Sequence, residues 1–177
     1  MICLLCVRRL IFGQEYLIIM LYSKSAEYTI QPMLYLAENE GKGLVMVSSI
    51  AEAYNIPKHF LAKLVQTLTR NHLVRSYRGR NGGIELARPP EKITILQIVS
   101  AIEGPPPEQE MCVIGLDVCS DDVVCPLHNQ WQYIKELVHD TLGTQTLLDL
   151  VEGMRQKRQE LAKALRESEL QETPTAS

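Results

Sequence analysis

Apolar residues recur every three or four positions in residues 25–38, SAEYTIQPMLYLAE. This spacing predicts an amphipathic helix, and Ser25 is a candidate for its N-cap. Pro32 lies inside the segment, where it removes a backbone donor, so we expect a kink there. The first predicted element is therefore a helix with one apolar face that packs against a core.

Two further helices are predicted after a glycine-containing turn. Residues 45–57 predict a short strand followed by a helix that is capped near Ser48 or Ser49 and ends before Pro57. Pro57 suits the first turn of the next helix, residues 57–73. The apolar face of that helix is Phe60, Leu61, Leu64, Val65 and Leu68, and its opposite face is Lys58, His59, Lys63, Gln66 and Thr67.

The period changes to two in residues 73–87, LVRSYRGRNGGIELA. This change predicts a β-hairpin whose turn is supplied by residues 81–83, Asn-Gly-Gly. Two helices followed by a hairpin predict a mainly α fold, a winged helix-turn-helix. Its second helix fits the major groove, which is about 12 Å wide. The hairpin then follows the flanking backbone, where Arg78 or Arg80 could enter the minor groove.

The second half of the chain predicts three more helices and two irregular segments. Residues 91–103 predict a helix that is closed by Gly104 and three prolines. A long helix follows over residues 126–142, and it has an apolar stripe that suits a homodimer better than packing within one chain. A short helix ends at residue 154. The predicted dimer residues are Trp131, Ile134, Val138 and Leu142.

These elements suggest a division of the 177-residue chain. We expect a leader that is disordered or an over-extended start (1–19), a DNA-binding domain (20–104), a cysteine-bearing loop (105–128), a dimerisation helix with a short docking helix (126–154), and a charged, disordered tail (155–177). The leader contains Cys3 and Cys6, to which we assign no function. It is too short to span a bilayer and lacks a cleavage site, so we expect a cytoplasmic protein.

Charge is distributed unevenly along the chain. The net charge is −3, but residues 53–84 contain six Lys and Arg and no Asp or Glu. A basic region on a helix-turn-helix and wing favours double-stranded DNA as the partner, although a solvated face without a partner remains the alternative. The candidate DNA-binding residues are Ser48, Ser49, Lys58, His59, Lys63, Arg75, Arg78 and Arg80.

Three of the five cysteines lie in residues 112–128, CVIGLDVCSDDVVCPLH. Cys112, Cys119 and Cys125 are separated by six and five residues, and His128 lies about one helical turn after the third. Thiolates with an imidazole suit an iron–sulfur cluster or zinc. Three alternatives remain. The thiols could be oxidised without a metal, the three cysteines could have no function, and His128 could be a surface residue and not a ligand.

Several motifs together resemble the bacterial iron–sulfur-sensing winged-helix regulators of the IscR and NsrR type. They are MLYSKSAEYTIQPMLYLA, NIPKHFLAKLVQTLTRNHLV, the RSYRGRNGGIELARP wing, the cysteine loop with CPLH, and TLLDLVE. The resemblance covers Met20 to about Met154. It implies a homodimeric regulator, in most cases a repressor, that binds palindromic DNA and holds an iron–sulfur cluster on three loop cysteines and one other ligand.

The resemblance leaves the fourth ligand open between His128 and Glu27, which would reach the partner subunit's cluster. Glu27 could equally be a surface carboxylate in a first helical turn. We expect [2Fe–2S] rather than [4Fe–4S], with zinc less favoured, although the six-residue gap is longer than the family's usual spacing. The chain has no Ser/His/Asp arrangement, phosphate loop or HExxH motif, so we expect no enzyme. The alternative function is a metal-free repressor controlled by thiol oxidation or by a partner protein.

Overall fold

The computed structural model describes residues 22–79, 82–104, 114 and 125–171. Its fold is mainly α-helical with one antiparallel hairpin, as the hydrophobic pattern predicted. The elements in chain order are α1 (Lys24–Glu38), α2 (Val47–Ala53), α3 (Lys58–Arg70), β1 (Val74–Tyr77), β2 (Gly83–Leu86), a 3₁₀ turn (Pro90–Lys92), α4 (Ile95–Glu103), α5 (His128–Thr144) and α6 (Leu147–Gln171).

The N-cap of helix α1 lies two residues earlier than predicted. Ser23, not Ser25, is the N-cap, and its hydroxyl accepts a hydrogen bond from the backbone N–H of Ala26 at 3.3 Å. The helix continues through Pro32, which lies buried on its inner face. One face of α1 therefore packs into the core along its whole length.

Helices α2 and α3 form the helix-turn-helix. The N-cap of α2 is Met46, so Ser48 and Ser49 lie inside its first turn and do not cap it. The turn between the helices contains Asn55, whose φ of 51° is left-handed, a conformation that Asn tolerates better than most residues. The buried face of α3 is Leu61, Leu64, Val65 and Leu68.

The hairpin is docked onto the segment that precedes α2. Strands β1 and β2 pair in antiparallel register from Val74↔Leu86 to Tyr77↔Gly83. The predicted strand before α2 is a single bridge, in which Val45 and Ile84 exchange two backbone hydrogen bonds of 3.0 and 2.8 Å. The wing is thus attached to the helix-turn-helix through backbone pairing as well as through the chain.

The second half of the chain closes the same core. Helix α4 begins with a capping box in which the Thr94 hydroxyl accepts from the N–H of Gln97 and the Gln97 side chain accepts from the N–H of Thr94. Leu147 is fully buried, and its N–H donates to the carbonyl of Ile93 at 2.9 Å. The first turns of α6 therefore belong to the core of the DNA-binding half.

Helix α6 runs further than the sequence predicted. The expected short helix ended at residue 154 and was followed by a disordered tail, but the structure continues the helix to Gln171. Residues after 154 are mostly strong helix formers, and side chains four apart pair as Gln156 with Glu160 at 3.0 Å and Lys163 with Glu167 at 3.9 Å. No helix among the described residues is long and apolar enough to cross a bilayer.

Candidate nucleic-acid interface and cysteine loop

The outer face of α3 is polar and basic. Its exposed residues are Lys58, His59, Lys63, Gln66 and Arg70. The inner face anchors the helix in the core, with Leu61 fully buried and Leu68 almost so. No acidic residue lies on α3, so the exposed face presents positive charge and hydrogen-bond donors to an anionic partner.

The two serines of α2 differ in accessibility. Ser49 is exposed and Ser48 is half-buried in the first turn of the helix. The N–H of Ser49 donates to the carbonyl of Met46 at 3.0 Å. The exposed hydroxyl of Ser49 can therefore contact a phosphate more readily than that of Ser48.

The wing arginines have different surroundings. Arg75 donates to the carbonyl of Ala87 at 3.0 Å and lies 3.7 Å from the carboxylate of Glu85, so it helps to hold the base of the hairpin. Arg78 is exposed next to the turn, and Arg80 lies outside the described residues. The Tyr77 hydroxyl donates to Glu85 at 2.8 Å, and this hydrogen bond raises the pKa of Tyr77.

The structure describes two of the four predicted cluster ligands, Cys125 and His128. Cys125 is a half-buried thiol, and its carbonyl accepts from the N–H of His128 at 3.2 Å. His128 is the first residue of α5 and is only 8% exposed, so it is not the surface histidine of the alternative interpretation. Cys112 and Cys119 lie outside the described residues, and within the described part of the chain no three His, Cys, Asp or Glu side chains converge on a metal position.

A half-buried thiol and a buried imidazole within one turn are donors that an iron–sulfur cluster accepts. Glu27, the other candidate, lies in the first turn of α1 with its carboxylate 2.6 Å from the ammonium group of Lys24. Its side chain is 44% exposed, as expected for a surface carboxylate, and a partner subunit could still reach it. The chemistry of these candidate ligands fits the iron–sulfur cluster that the resemblance implies.

The predicted dimer residues lie along α5, whose only buried residue is His128. Ile134 is 41% exposed, and Trp131 and Val138 are half-buried. Leu142 packs partly against the core of its own chain. Leu137, which lies one turn after Ile134 on the same helix, is 53% exposed.

Sequence reasoning missed two contacts near these sites. The carboxylate of Glu103 accepts from the backbone N–H of Ser23 at 2.8 Å, and the rings of Tyr28 and Phe60 meet edge to face with centroids 5.9 Å apart. Both contacts join residues that are distant in sequence. The sequence does hold a signal for the aromatic contact, because Tyr28 and Phe60 each lie in the early part of a helix, and two such rings on neighbouring helices favour an edge-to-face contact.

A helix pair with a basic outer face, followed by a hairpin docked beside it, defines a winged helix-turn-helix DNA-binding protein. The Rrf2 family, described as iron-dependent transcriptional regulators, matches residues 22–153. The chain belongs to the Rrf2 family. Its relatives are transcriptional regulators and not enzymes.

Individual relatives cover most of the chain. A protein of Aquifex aeolicus that is assigned to the HTH-type transcriptional regulators is 35% identical over 134 residues, which are 75% of this chain and 92% of that protein. The structure of CymR, the global cysteine regulator of Bacillus subtilis, is similar with a TM-score of 0.63 and 32% identity over 73% of this chain and 95% of that chain. IscR of T. potens is similar with a TM-score of 0.61 and 28% identity over 75% and 86%.

Proposed function

We propose that the protein is a homodimeric transcriptional repressor whose affinity for a palindromic operator is controlled by an iron–sulfur cluster on the cysteine loop. The observation that carries the proposal is the turn at the start of α5, where a half-buried Cys125 precedes a buried His128. A buried imidazole about one turn from a half-buried thiol is more typical of a metal centre than of a loop exposed to solvent. The IscR likeness supports the same assignment.

On the DNA side, the outer face of α3 enters the major groove. Lys58 and Lys63 neutralise phosphates, and His59 lies between them in sequence where it can reach base edges. Ser49 and Ser48 contact the flanking backbone from the first turn of α2. Two copies joined through α5 would present two α3 helices to two half-sites.

On the wing, exposed Arg78, together with Arg80, reaches the minor groove. Arg75 serves chiefly to hold the hairpin, because its guanidinium already contacts Ala87 and Glu85. A positively charged wing adds affinity through phosphate contacts without requiring base contacts.

On the cysteine side, Cys112, Cys119, Cys125 and His128 would hold the cluster, with Glu27 of a second subunit as the other candidate for the fourth ligand. A [2Fe–2S] cluster supplies a centre that is sensitive to iron supply, oxidants and nitric oxide. His128 begins α5 and Cys125 precedes it, so ligation fixes the segment that leads into the proposed dimer helix. A ligand other than cysteine leaves the centre open to attack, which suits a sensor.

The test is an ultraviolet–visible spectrum with iron and sulfide assays on protein purified without oxygen. We expect visible absorbance beyond the aromatic band and equal amounts of iron and sulfide. Cys119→Ser should abolish loading and leave the melting temperature of the stripped protein unchanged. Cys3→Ser is the matched control, because it removes a thiol from the leader, and it should load as the wild type does.

A colourless protein that cannot be reconstituted would remove the cluster from the proposal. Normal loading of Cys119→Ser would show instead that the ligand set is incorrect. Both results leave the DNA-binding assignment standing, because it depends on α3 and the wing and not on the cysteines.

The second candidate is a metal-free repressor controlled by thiol oxidation or by a partner protein. The CymR likeness favours it, since that relative is a cysteine regulator and a structure of an oxidised form of Staphylococcus aureus CymR is 33% identical with a TM-score of 0.58. The stripped protein distinguishes the candidates. Under thiol control, hydrogen peroxide changes its DNA affinity and dithiothreitol restores it, whereas under cluster control neither reagent has an effect without iron and sulfide.

A further inference from the structure

A hydrogen bond joins the last residue of α4, which precedes the cysteine loop in sequence, to the N-terminus of α1. Glu103 is the last residue of α4, and its carboxylate accepts from the backbone N–H of Ser23 at 2.8 Å. Gly104 follows with a positive φ of 82°, and the chain then leads into the prolines and the loop. A carboxylate is stabilised at a helix N-terminus by the helix dipole. Glu103 therefore joins the point where the loop begins to the first turn of α1.

The first turn of α1 in turn contacts the recognition helix. The ammonium group of Lys24 lies 5.2 Å from the ring centroid of Tyr28. The Tyr28 ring meets that of Phe60 edge to face, at 5.9 Å between centroids and 82° between planes. Phe60 is the third residue of α3 and follows His59, one of the proposed DNA contacts. An unbroken series of contacts thus runs from Glu103 to α3.

The packing of α1 makes this series capable of transmitting a displacement. Ala26 and Thr29, in the first turns of α1, are fully buried, and the Thr29 hydroxyl donates to the carbonyl of Ser25 at 2.7 Å. The first turns of α1 are therefore held as a rigid body, because closely packed cores rearrange between discrete states rather than deforming continuously. A shift at Ser23 must then move Tyr28 as well.

We propose that Glu103, Tyr28 and Phe60 are positioning residues that transmit the state of the cysteine loop to the placement of α3. The proposal rests on the proposed function, which makes the loop the input and DNA affinity the output. None of the three is among the proposed ligands or DNA contacts. Their removal should therefore reduce the coupling between loop and DNA rather than either binding event.

The experiment measures DNA affinity of the full chain in two states, reconstituted with iron and sulfide and stripped by a chelator. The probe is a 30-base-pair duplex that the wild-type protein enriches from a random-sequence pool. We expect the two wild-type affinities to differ by at least about fivefold. In Glu103→Ala and Tyr28→Leu the ratio should fall below about twofold, while each variant still loads iron and still binds the duplex in at least one state.

Two controls separate positioning from general damage. Tyr28→Phe keeps the edge-to-face pair and should restore the wild-type ratio. Glu91→Ala removes an exposed carboxylate from the 3₁₀ turn and should leave the ratio unchanged. The double variant Glu103→Ala/Tyr28→Leu should lower the ratio no further than either single change, because the two residues act in series.

A second readout needs neither cluster nor DNA. The N–H groups of Phe60 and Leu61 both donate to the carbonyl of Pro57, at 2.9 and 3.0 Å. In the stripped protein, Glu103→Ala should accelerate hydrogen exchange at these two amides, and Glu91→Ala should not. Should Glu103→Ala fail to fold, Glu103→Gln replaces it, and it should give a ratio between those of the wild type and of Tyr28→Leu.

The outcomes distinguish the positioning role of these residues from control by the cluster. If Glu103→Ala and Tyr28→Leu both keep the wild-type ratio of DNA affinities, and hydrogen exchange at the Phe60 and Leu61 amides is unchanged, the positioning role is overturned. Cluster control then stays in place. Equal affinities of the two wild-type states overturn cluster control and the positioning role together. A lowered ratio that Tyr28→Phe restores supports both.

Discussion

Two glycines show how the surroundings of a residue decide whether its substitution raises or lowers the free energy of unfolding. A Cβ on Gly83 would lie 2.8 Å from the carbonyl oxygen of Val45, whereas a Cβ on Gly153 would meet nothing within 4 Å. We expect Gly83→Ala to lower the free energy of unfolding by about 1–3 kcal/mol, because the bridge between wing and helix-turn-helix must open. Gly153→Ala, in the middle of α6, should raise it by about 0.5–1 kcal/mol. Urea unfolding of both variants measures the two changes in free energy. If the two substitutions changed the free energy of unfolding equally, the docking of the wing onto the segment before α2 would be contradicted.

A second residue-scale prediction concerns pH. The hydroxyl and the N–H of Thr146 donate to the carboxylate of Asp149 at 2.6 and 2.9 Å, and these bonds lower the pKa of Asp149 from its usual 3.8. A pKa that is lower in the folded state gives stability above pH 3.8 that is lost as the pH falls through the folded value. Asp149→Asn should therefore melt at a lower temperature near neutral pH and lose less stability in acid.

The fluorescence of the sole tryptophan, Trp131, can follow that melting from about pH 3 to about pH 7. Glu152→Gln is the matched control, because it removes an exposed carboxylate from the same helix. If Asp149→Asn shows the same acid loss as the wild type and Glu152→Gln, the cap at the start of α6 does not contribute to the pH dependence.

At the scale of elements, α3 gives the most direct test of DNA binding. Each phosphate that a lysine neutralises adds about 0.9 to the slope of log affinity against log salt concentration. Lys63→Ala should therefore weaken binding to the selected duplex and reduce that slope by about 0.9. Lys163→Ala on α6 removes the same charge far along the chain and should change neither. An unchanged slope for Lys63→Ala would remove this residue from the interface.

The element scale also shows what the sequence could and could not predict. Helix α3 and the two strands of the hairpin could be predicted because a local period determines them. The turn was predicted wrongly at Gly83, which is the first residue of β2, and the positive φ of 111° is at Gly79. The cap of α1 could not be predicted, since Ser23 and Ser25 are equally good caps and tertiary packing selects Ser23. The burial of His128 depends on how α5 meets the rest of the molecule, which no local pattern encodes. The length of α6 was underestimated because charged residues suggested disorder, although they are also good helix formers.

At the scale of the whole molecule, α5 exposes large apolar side chains that the proposed homodimer would cover. Ile134 and Leu137 are 41% and 53% exposed on a helix whose only buried residue is His128. We expect Ile134→Lys to convert a dimer into a monomer in light scattering, because a charge would be buried at the interface. Glu136→Lys, on the opposite side of α5, should remain dimeric. A wild-type monomer would contradict the proposed half-site arrangement.

The pairing of Arg158 with Glu38, at 2.8 Å, holds α6 against the end of α1. Beyond Arg158 the helix continues over residues 159–171 to Gln171, a length of about 20 Å at about 1.5 Å per residue. A fluorophore or affinity label attached at Gln171 would thus be carried on a rod well away from the folded body. A label attached at Tyr22 would instead adjoin Ser23, whose N–H donates to Glu103, and would perturb the contacts that reach α3. Labelling at the C-terminal side is therefore the better choice for single-molecule measurements of this protein on DNA.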